Sequence, residues 1–92
     1  MGVMEWRDIG GGCSIAFYYS QEGEPVDGVL WRHDCPNDPR GPEHGGDAIP
    51  FGPPDGSHWQ VRQWTPLTLD GSLLCRACGR HGWIRDGAWV AA

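Results

Sequence analysis

Apolar and β-branched residues occur in short runs along the chain, separated by polar segments rich in glycine, proline and aspartate. Residues 14–21 (SIAFYYSQ) and 29–35 (VLWRHDC) are typical of β-strands, and the polar segment 22–28 allows the two to pair as a hairpin. Residues 58–66 (HWQVRQWTP) alternate between two faces, which predicts a strand with one face in water. No stretch has apolar residues at helical spacing without glycine or proline, so no helix is predicted.

The C-terminal part of the chain predicts further short strands. Residues 67–75 (LTLDGSLLC) have leucines spaced for one face, followed by an Asp-Gly turn signal at 70–71. In residues 82–90 (GWIRDGAWV), Asp86-Gly87 separates two apolar runs and predicts a hairpin with a type I′ turn. The chain contains no internal repeat. We therefore predict a mostly β single domain over residues 1–92, with about five or six short antiparallel strands.

Residues 36–57 interrupt this pattern. Six prolines and five glycines fall within residues 36–56. Because proline and glycine at this density oppose both helix and strand, the sequence predicts a long irregular Pro/Gly-rich loop without a regular element. A loop of this length in a small domain is either a solvated insertion or a functional segment.

The composition limits the core that the chain can build. Of 92 residues, 15 are glycine and 8 are proline, so little apolar area is left to bury. Domains of this size are commonly stabilised by disulfides, a bound metal or a partner. Six tryptophans exceed what so small a core requires, so some are predicted to form a binding surface. The candidates are Trp59, Trp64, Trp83 and Trp89.

The formal net charge of −5 disfavours a domain that binds by neutralising phosphates. Arg76, Arg80 and Arg85 nevertheless make the C-terminal part locally basic, beside tryptophans suited to stacking on bases. These arginines are therefore included in the candidate binding surface. Nucleic-acid binding stays an alternative, disfavoured by the overall charge.

The N-terminal residues carry charges and lack the apolar run of a secretory signal. No apolar run reaches the roughly 18–20 residues that span a membrane. The predicted compartment is the cytoplasm, without membrane association. Because thiols stay reduced there, the four cysteines are expected to be metal ligands or free thiols rather than disulfides.

Cysteine and histidine residues at two places in the chain have the spacing of zinc ligands. CRACG (75–79) has the form of a zinc knuckle that presents Cys75 and Cys78, with a glycine for the turn. His33 and Cys35 are two residues apart, so on a strand both side chains point the same way. These four residues would form a tetrahedral Cys₃His zinc site. His81, three residues after Cys78, is the alternative fourth ligand.

Other interpretations of the cysteines stay open at this level. Two disulfides would require a secreted protein, and a thioredoxin-like dithiol would require a helix after the CxxC motif. Unliganded thiols require neither. Cys13 has no candidate ligand near it in the sequence and is expected to be a buried or edge thiol.

The sequence also bears on whether a bound metal would be catalytic. A catalytic zinc needs an open coordination position and a nearby general base. The H-x-E motif of nucleotide deaminases and the HExxH motif of metalloproteases are both absent from the chain. The zinc is therefore predicted to be structural, and the protein is predicted not to be an enzyme.

The HDCP segment (33–36) and the segment LTLDGSLLCRACGRHGWIRDGAWV (67–90) resemble a zinc-knuckle family of small proteins from actinobacteria and their phages. In that family HDCP is followed by LTLSPSLLCxxCGxHGFIRDGxW. The pattern is also similar to a wider phage and bacterial domain often mislabelled ammonia monooxygenase. The resemblance implies a zinc bound by the cysteine pairs and no particular activity. This chain departs from it at 69–72, where LDGS replaces LSPS.

These observations lead to one hypothesis with two alternatives. We expect a small β domain, similar to a zinc ribbon, that is stabilised by one zinc ion and is not an enzyme. It is expected to bind a protein partner in the cytoplasm, or in the host cytoplasm if a phage encodes it. The alternatives are a nucleic-acid-binding zinc ribbon and a component of the phage virion or its head decoration.

Overall fold

The computed structural model describes residues 2–21, 25–33, 47–52 and 59–92. These residues form antiparallel sheets and contain no helix, which confirms the predicted mostly β fold. No helix long and apolar enough to cross a membrane occurs within these ranges. The strands there are β1 (Gly2–Val3), β2 (Arg7–Gly10), β3 (Cys13–Tyr19), β4 (Gly28–His33), β5 (Asp47–Pro50), β6 (Gln60–Gln63), β7 (Thr68–Asp70), β8 (Leu73–Leu74), β9 (His81–Arg85) and β10 (Ala88–Ala91).

The first sheet is built around β3. Strand β4 pairs with it from Cys13↔His33 to Tyr18↔Gly28, which confirms the hairpin predicted from the two aromatic runs. On the other side of β3, β1 pairs with its C-terminal end and β2 with its N-terminal end. Strand β5 pairs with the remaining side of β4. Because Cys13 and His33 form the last pair of the β3–β4 ladder, His33 lies at one end of this sheet.

Strands β1 and β2 were not predicted. They lie in a segment whose only buried apolar side chain is Ile9. The turn from β2 to β3 contains Gly11 and Gly12, both with positive φ (62° and 78°), a conformation that residues with a Cβ rarely adopt. The glycines therefore make a tight hairpin that brings a mostly polar segment onto the edge of β3.

Strand β5 corrects the prediction of an irregular loop over residues 36–57. Residues 47–50 are a strand, so the expectation that no regular element forms there is wrong for this part; residues 36–46 and 53–57 lie outside the described residues. Ile49 on β5 is buried and pairs with Val29. Pro50 is tolerated because it is the last residue of an edge strand, where the absence of a backbone N–H removes no hydrogen bond to a further strand.

Two smaller sheets follow in the chain. Strands β6 and β7 pair across a turn at residues 64–67, so the strand predicted over 58–66 ends earlier than expected. A bend at Gly71 (φ 96°) separates β7 from β8, where the Asp-Gly signal predicted a turn. Strands β8, β9 and β10 form the third sheet. Asp86 and Gly87 (φ 50° and 74°) join β9 to β10 with Arg85 opposite Ala88, which confirms the predicted two-residue hairpin turn.

The core draws one or a few side chains from most strands. Trp31, Leu73, Ile84 and Val29 are fully buried. The other buried apolar residues are Ile9, Cys13, Ile15, Ala16, Ile49, Leu67, Leu69 and Cys75. Trp31 of β4 stacks on Trp89 of β10, with ring centroids 5.3 Å apart, and so joins the first sheet to the third.

Candidate metal centre

Three potential metal ligands lie together where the first sheet meets the loop between β8 and β9. The side-chain donor atoms of His33, Cys75 and Cys78 all lie within 4.8 Å of one another. His33 Nε2 is 3.3 Å from Cys78 Sγ. The structure thus brings together three of the four ligands that the sequence suggested. The fourth, Cys35, lies outside the described residues.

The two cysteines belong to a tight loop closed by backbone hydrogen bonds. The Gly79 N–H donates to the Cys75 carbonyl at 2.7 Å, and the Cys75 N–H donates to the Arg80 carbonyl at 2.8 Å. Gly79 has a φ of 80°, and a Cβ there would contact nothing within 4 Å, so its conformation rather than its size requires glycine. This loop, which we call the knuckle (residues 75–80), holds both thiols toward His33.

The three side chains differ in their access to solvent. Cys75 is buried, His33 is half-buried and Cys78 is exposed. The group therefore lies at the surface, with Cys75 as its innermost member. A metal ion can reach it without opening the core.

His81 is not a member of this group of ligand atoms. It is exposed, begins β9, and pairs with Leu74 in the ladder to β8. Its ring lies tilted beside that of Trp83, with centroids 5.7 Å apart. The geometry therefore favours His33 over His81 as the histidine that can share a metal with the two thiols.

Cys13 lies outside the three-residue group although it is the cross-strand neighbour of His33. Its side chain is buried, and burial raises the pKa of this thiol; the nearby Trp31 indole and Arg80 guanidinium partly offset that effect. Arg80 also donates a hydrogen bond to the Gly11 carbonyl. The arginine thus connects the knuckle to the β2–β3 turn, and its side chain has a partner within the domain.

The candidate surface tryptophans differ in their surroundings. The indole N–H of Trp59 donates to the Ser72 carbonyl at 3.0 Å, and Arg85 lies over the Trp83 ring at 4.9 Å. Trp89 packs on Trp31. Trp64 alone of the four is exposed, with 54% of its surface in solvent. Its ring makes an edge contact with that of Phe51, with centroids 5.6 Å apart. Trp64 is therefore the tryptophan best placed to meet a partner.

Trp64 lines a cleft of about 480 Å³ between the first sheet and the turns at 64–67 and 86–87. Met4, 49% exposed, lines the same cleft. The apolar part is completed by Ile9, Ile15, Phe17, Val26, Pro66 and Leu67, and the charged lining consists of Arg7, Asp8 and Asp86. Met4 was not identified from the sequence because its exposure depends on the path of the unpredicted β1 and β2.

Comparison of the chain with known protein families, with curated proteins and with solved structures gives no match. The function has to be inferred from the chemistry of the three-residue group and the cleft.

Proposed function

We propose that this protein binds one zinc ion through His33, Cys75 and Cys78, with Cys35 as the fourth ligand. The convergence of an imidazole from the first sheet with two thiols from the knuckle carries this proposal. Sulfur and imidazole nitrogen are the donors that structural zinc sites use. Cys35 follows His33 by two residues, and side chains at that spacing on an extended chain point to the same side.

The zinc has a structural role in this proposal. Three thiolates and one imidazole close the tetrahedral coordination and leave no position for a substrate. The ion joins the end of β4 to the knuckle, the loop between β8 and β9, and so links the first sheet to the third. The proposed place of action is the cytoplasm, where the thiols stay reduced and available.

Metal analysis tests the site directly. Protein purified without chelator is expected to contain one zinc per chain, measured by elemental analysis and native mass spectrometry. A His33→Ala variant is expected to bind zinc at least about tenfold more weakly because it loses a direct ligand. The matched variant His81→Ala should retain wild-type affinity. Absence of zinc, a mass two daltons low from a disulfide, or the opposite ranking of the two histidine variants would contradict the proposal.

We further propose that the zinc-bound domain is a protein-interaction module and that its partner docks in the cleft beside Trp64. Two large side chains, Trp64 and Met4, are about half exposed and line one concavity. Tryptophan and methionine are among the residue types enriched at protein interfaces. An apolar concavity with a few polar groups at its border is the form that receives an anchoring side chain from a partner.

The charges around the cleft indicate what the anchoring segment carries. Among the described residues, Asp8 and Asp86 contribute two carboxylates to the cleft, and the arginine that lines it, Arg7, lies over the Phe17 ring. The whole chain has a net charge of −5. We therefore propose a peptide segment in which a large apolar residue is flanked by lysine or arginine, since complementary charge favours association and orients the partner.

Selection from a phage-displayed library of random peptides, performed on the zinc-loaded protein, tests this surface. Enriched peptides are expected to combine a large apolar residue with adjacent lysine or arginine. Trp64→Ala should weaken their binding by at least about tenfold, as for a central anchor, measured by fluorescence anisotropy. The matched variant Leu74→Ala removes an equally exposed side chain (55%) outside the cleft and should leave binding unchanged.

Failure to enrich peptides, or equal binding to the Trp64→Ala protein, would contradict docking in the cleft. Salt-sensitive binding of a labelled single-stranded oligonucleotide, with no selected peptide, would support the nucleic-acid alternative instead.

A further inference from the structure

Three aromatic rings form a continuous stack that ends at the candidate metal centre. The His33 imidazole stacks on the Trp31 indole, with centroids 4.6 Å apart and planes 29° apart. Trp31 stacks in turn on Trp89 at 5.3 Å and 20°. At the end of the stack, His33 Nε2 is 3.3 Å from Cys78 Sγ. The rings thus run from the third sheet through the core to the knuckle.

We infer that Trp31 is a positioning residue that holds the His33 imidazole in the orientation for metal binding. This inference rests on the proposed zinc site. A histidine side chain turns about two torsions, and the second has a broad range of allowed values. Contact with a flat, immobile neighbour restricts the plane of the ring before the metal arrives. Binding then costs less conformational entropy, which raises affinity without adding a ligand.

The surroundings of Trp31 meet the condition that the supporting ring be immobile. Only 1% of its surface is exposed, and it lies on β4 between two paired strands. Its indole also lies close to the buried Cys13 thiol. Trp31 and His33 are two residues apart on the same strand, so their side chains leave the sheet on the same face. The backbone geometry itself therefore brings the two rings together.

The Trp89 ring packs closely against the backbone at two glycines, Gly11 and Gly82. A Cβ on Gly11 would lie 2.4 Å from Trp89 Cδ1, and a Cβ on Gly82 would lie 2.6 Å from Trp89 Cζ2. The indole therefore rests closely against the β2–β3 turn and against β9. These close approaches restrict the position of the Trp89 ring at the far end of the stack.

The orientation of the His33 ring determines which of its nitrogens would meet the metal. His33 Nδ1 is buried, whereas Nε2 points toward the Cys78 sulfur. A ring turned over by half a rotation would direct a carbon atom at the thiols. In the observed orientation of the ring, Nε2 is therefore the atom that would coordinate the metal.

Zinc affinity measured by competition with a chromogenic chelator tests the inference. Trp31→Leu is expected to weaken zinc binding by about 10–100-fold, the range found when a residue that orients a ligand is lost. Trp31→Phe keeps an aromatic face and should recover part of the affinity. Leu69→Ala removes a buried side chain from β7, a strand that carries no ring of the stack and no candidate ligand, and it should leave zinc affinity unchanged.

A double-mutant cycle separates positioning of the ring from general support of the fold. In a His33→Cys background the ligand is a thiolate with no ring plane, so adding Trp31→Leu should cause no further loss of zinc affinity. Equal losses in both backgrounds, or no loss with His33 present, would overturn the inference. If Trp31→Leu does not fold, Trp89→Leu replaces it in the same cycle, with the same expected dependence on His33. If the wild-type protein binds no zinc, the proposed site is overturned. If the wild type binds zinc but Trp31→Leu has the same effect with His33 and with Cys at position 33, only this inference is overturned.

Discussion

Loss of the proposed zinc ion is expected to unfold the domain. Apparent binding free energies of structural zinc in small peptides are ~10–16 kcal/mol near neutral pH. The whole stability of an ordinary domain is about 5–15 kcal/mol, and a chain of 92 residues with a small core lies toward the low end. Removing the ion therefore removes a contribution as large as the net stability. Cys78→Ser is the most informative variant because this side chain is exposed and the change disturbs packing little.

After chelation, the wild type is expected to lose the near-ultraviolet circular dichroism of its tryptophans. The Cys78→Ser variant should lack this signal even without a chelator. Added zinc should restore the wild-type signal. Cys13→Ala serves as the control, because this cysteine lies outside the group of candidate metal ligands and its variant should still hold one zinc. A metal-free protein that keeps its signal and a cooperative urea transition would show that the zinc does not hold the fold together.

The second large effect concerns Leu73, which precedes the knuckle by two residues. Its side chain is fully buried, whereas the adjacent Leu74 is 55% exposed. Leu73→Ala is expected to lower the free energy of unfolding by about 2–5 kcal/mol, because the buried methyl groups are lost and a cavity remains. Leu74→Ala makes the same chemical change on the same two-residue strand and should alter stability by no more than about 0.5 kcal/mol.

Urea unfolding of the zinc-loaded Leu73→Ala and Leu74→Ala proteins measures the two free energies of unfolding. Elemental analysis of the same samples separates loss of core packing from loss of the metal. Equal destabilisation by the two variants would mean that β8 does not present Leu73 to the core in solution.

The elements that were predicted correctly have strong local signals. Asp86-Gly87 between two apolar runs specifies its hairpin through backbone conformations that this dipeptide favours. The pairing of β3 with β4 follows from two aromatic and β-branched runs with a polar connection. Strand β5 has the opposite character, since its local composition opposes a strand and only the available edge of β4 makes it one. A strand that forms because of tertiary pairing cannot be predicted from a short segment of sequence.

The candidate site divides in the same way. The CxxCG motif is local, so Cys75 and Cys78 were identifiable from spacing alone. The choice between His33 and His81 could not be made from spacing. It depends on where the fold places β4 relative to the knuckle, and the sequence allowed either histidine to reach the two thiols. The i, i+2 spacing of Trp31 and His33 was visible and is the signal that predicts their stacking. The exposure of Trp64 depends on where the turn at 64–67 meets the first sheet, which no local pattern encodes.

The contact between His33 and Cys78 joins residues 45 positions apart. A metal bridging them acts as a reversible crosslink, and closing a loop of this size restricts the unfolded chain by about 4 kcal/mol in the loop-entropy treatment used for disulfides. That term grows only with the logarithm of loop length, by about 0.6 kcal/mol for each doubling. The stretch between the two halves of the centre can therefore gain or lose many residues at little thermodynamic cost, provided that both ends still reach the ion.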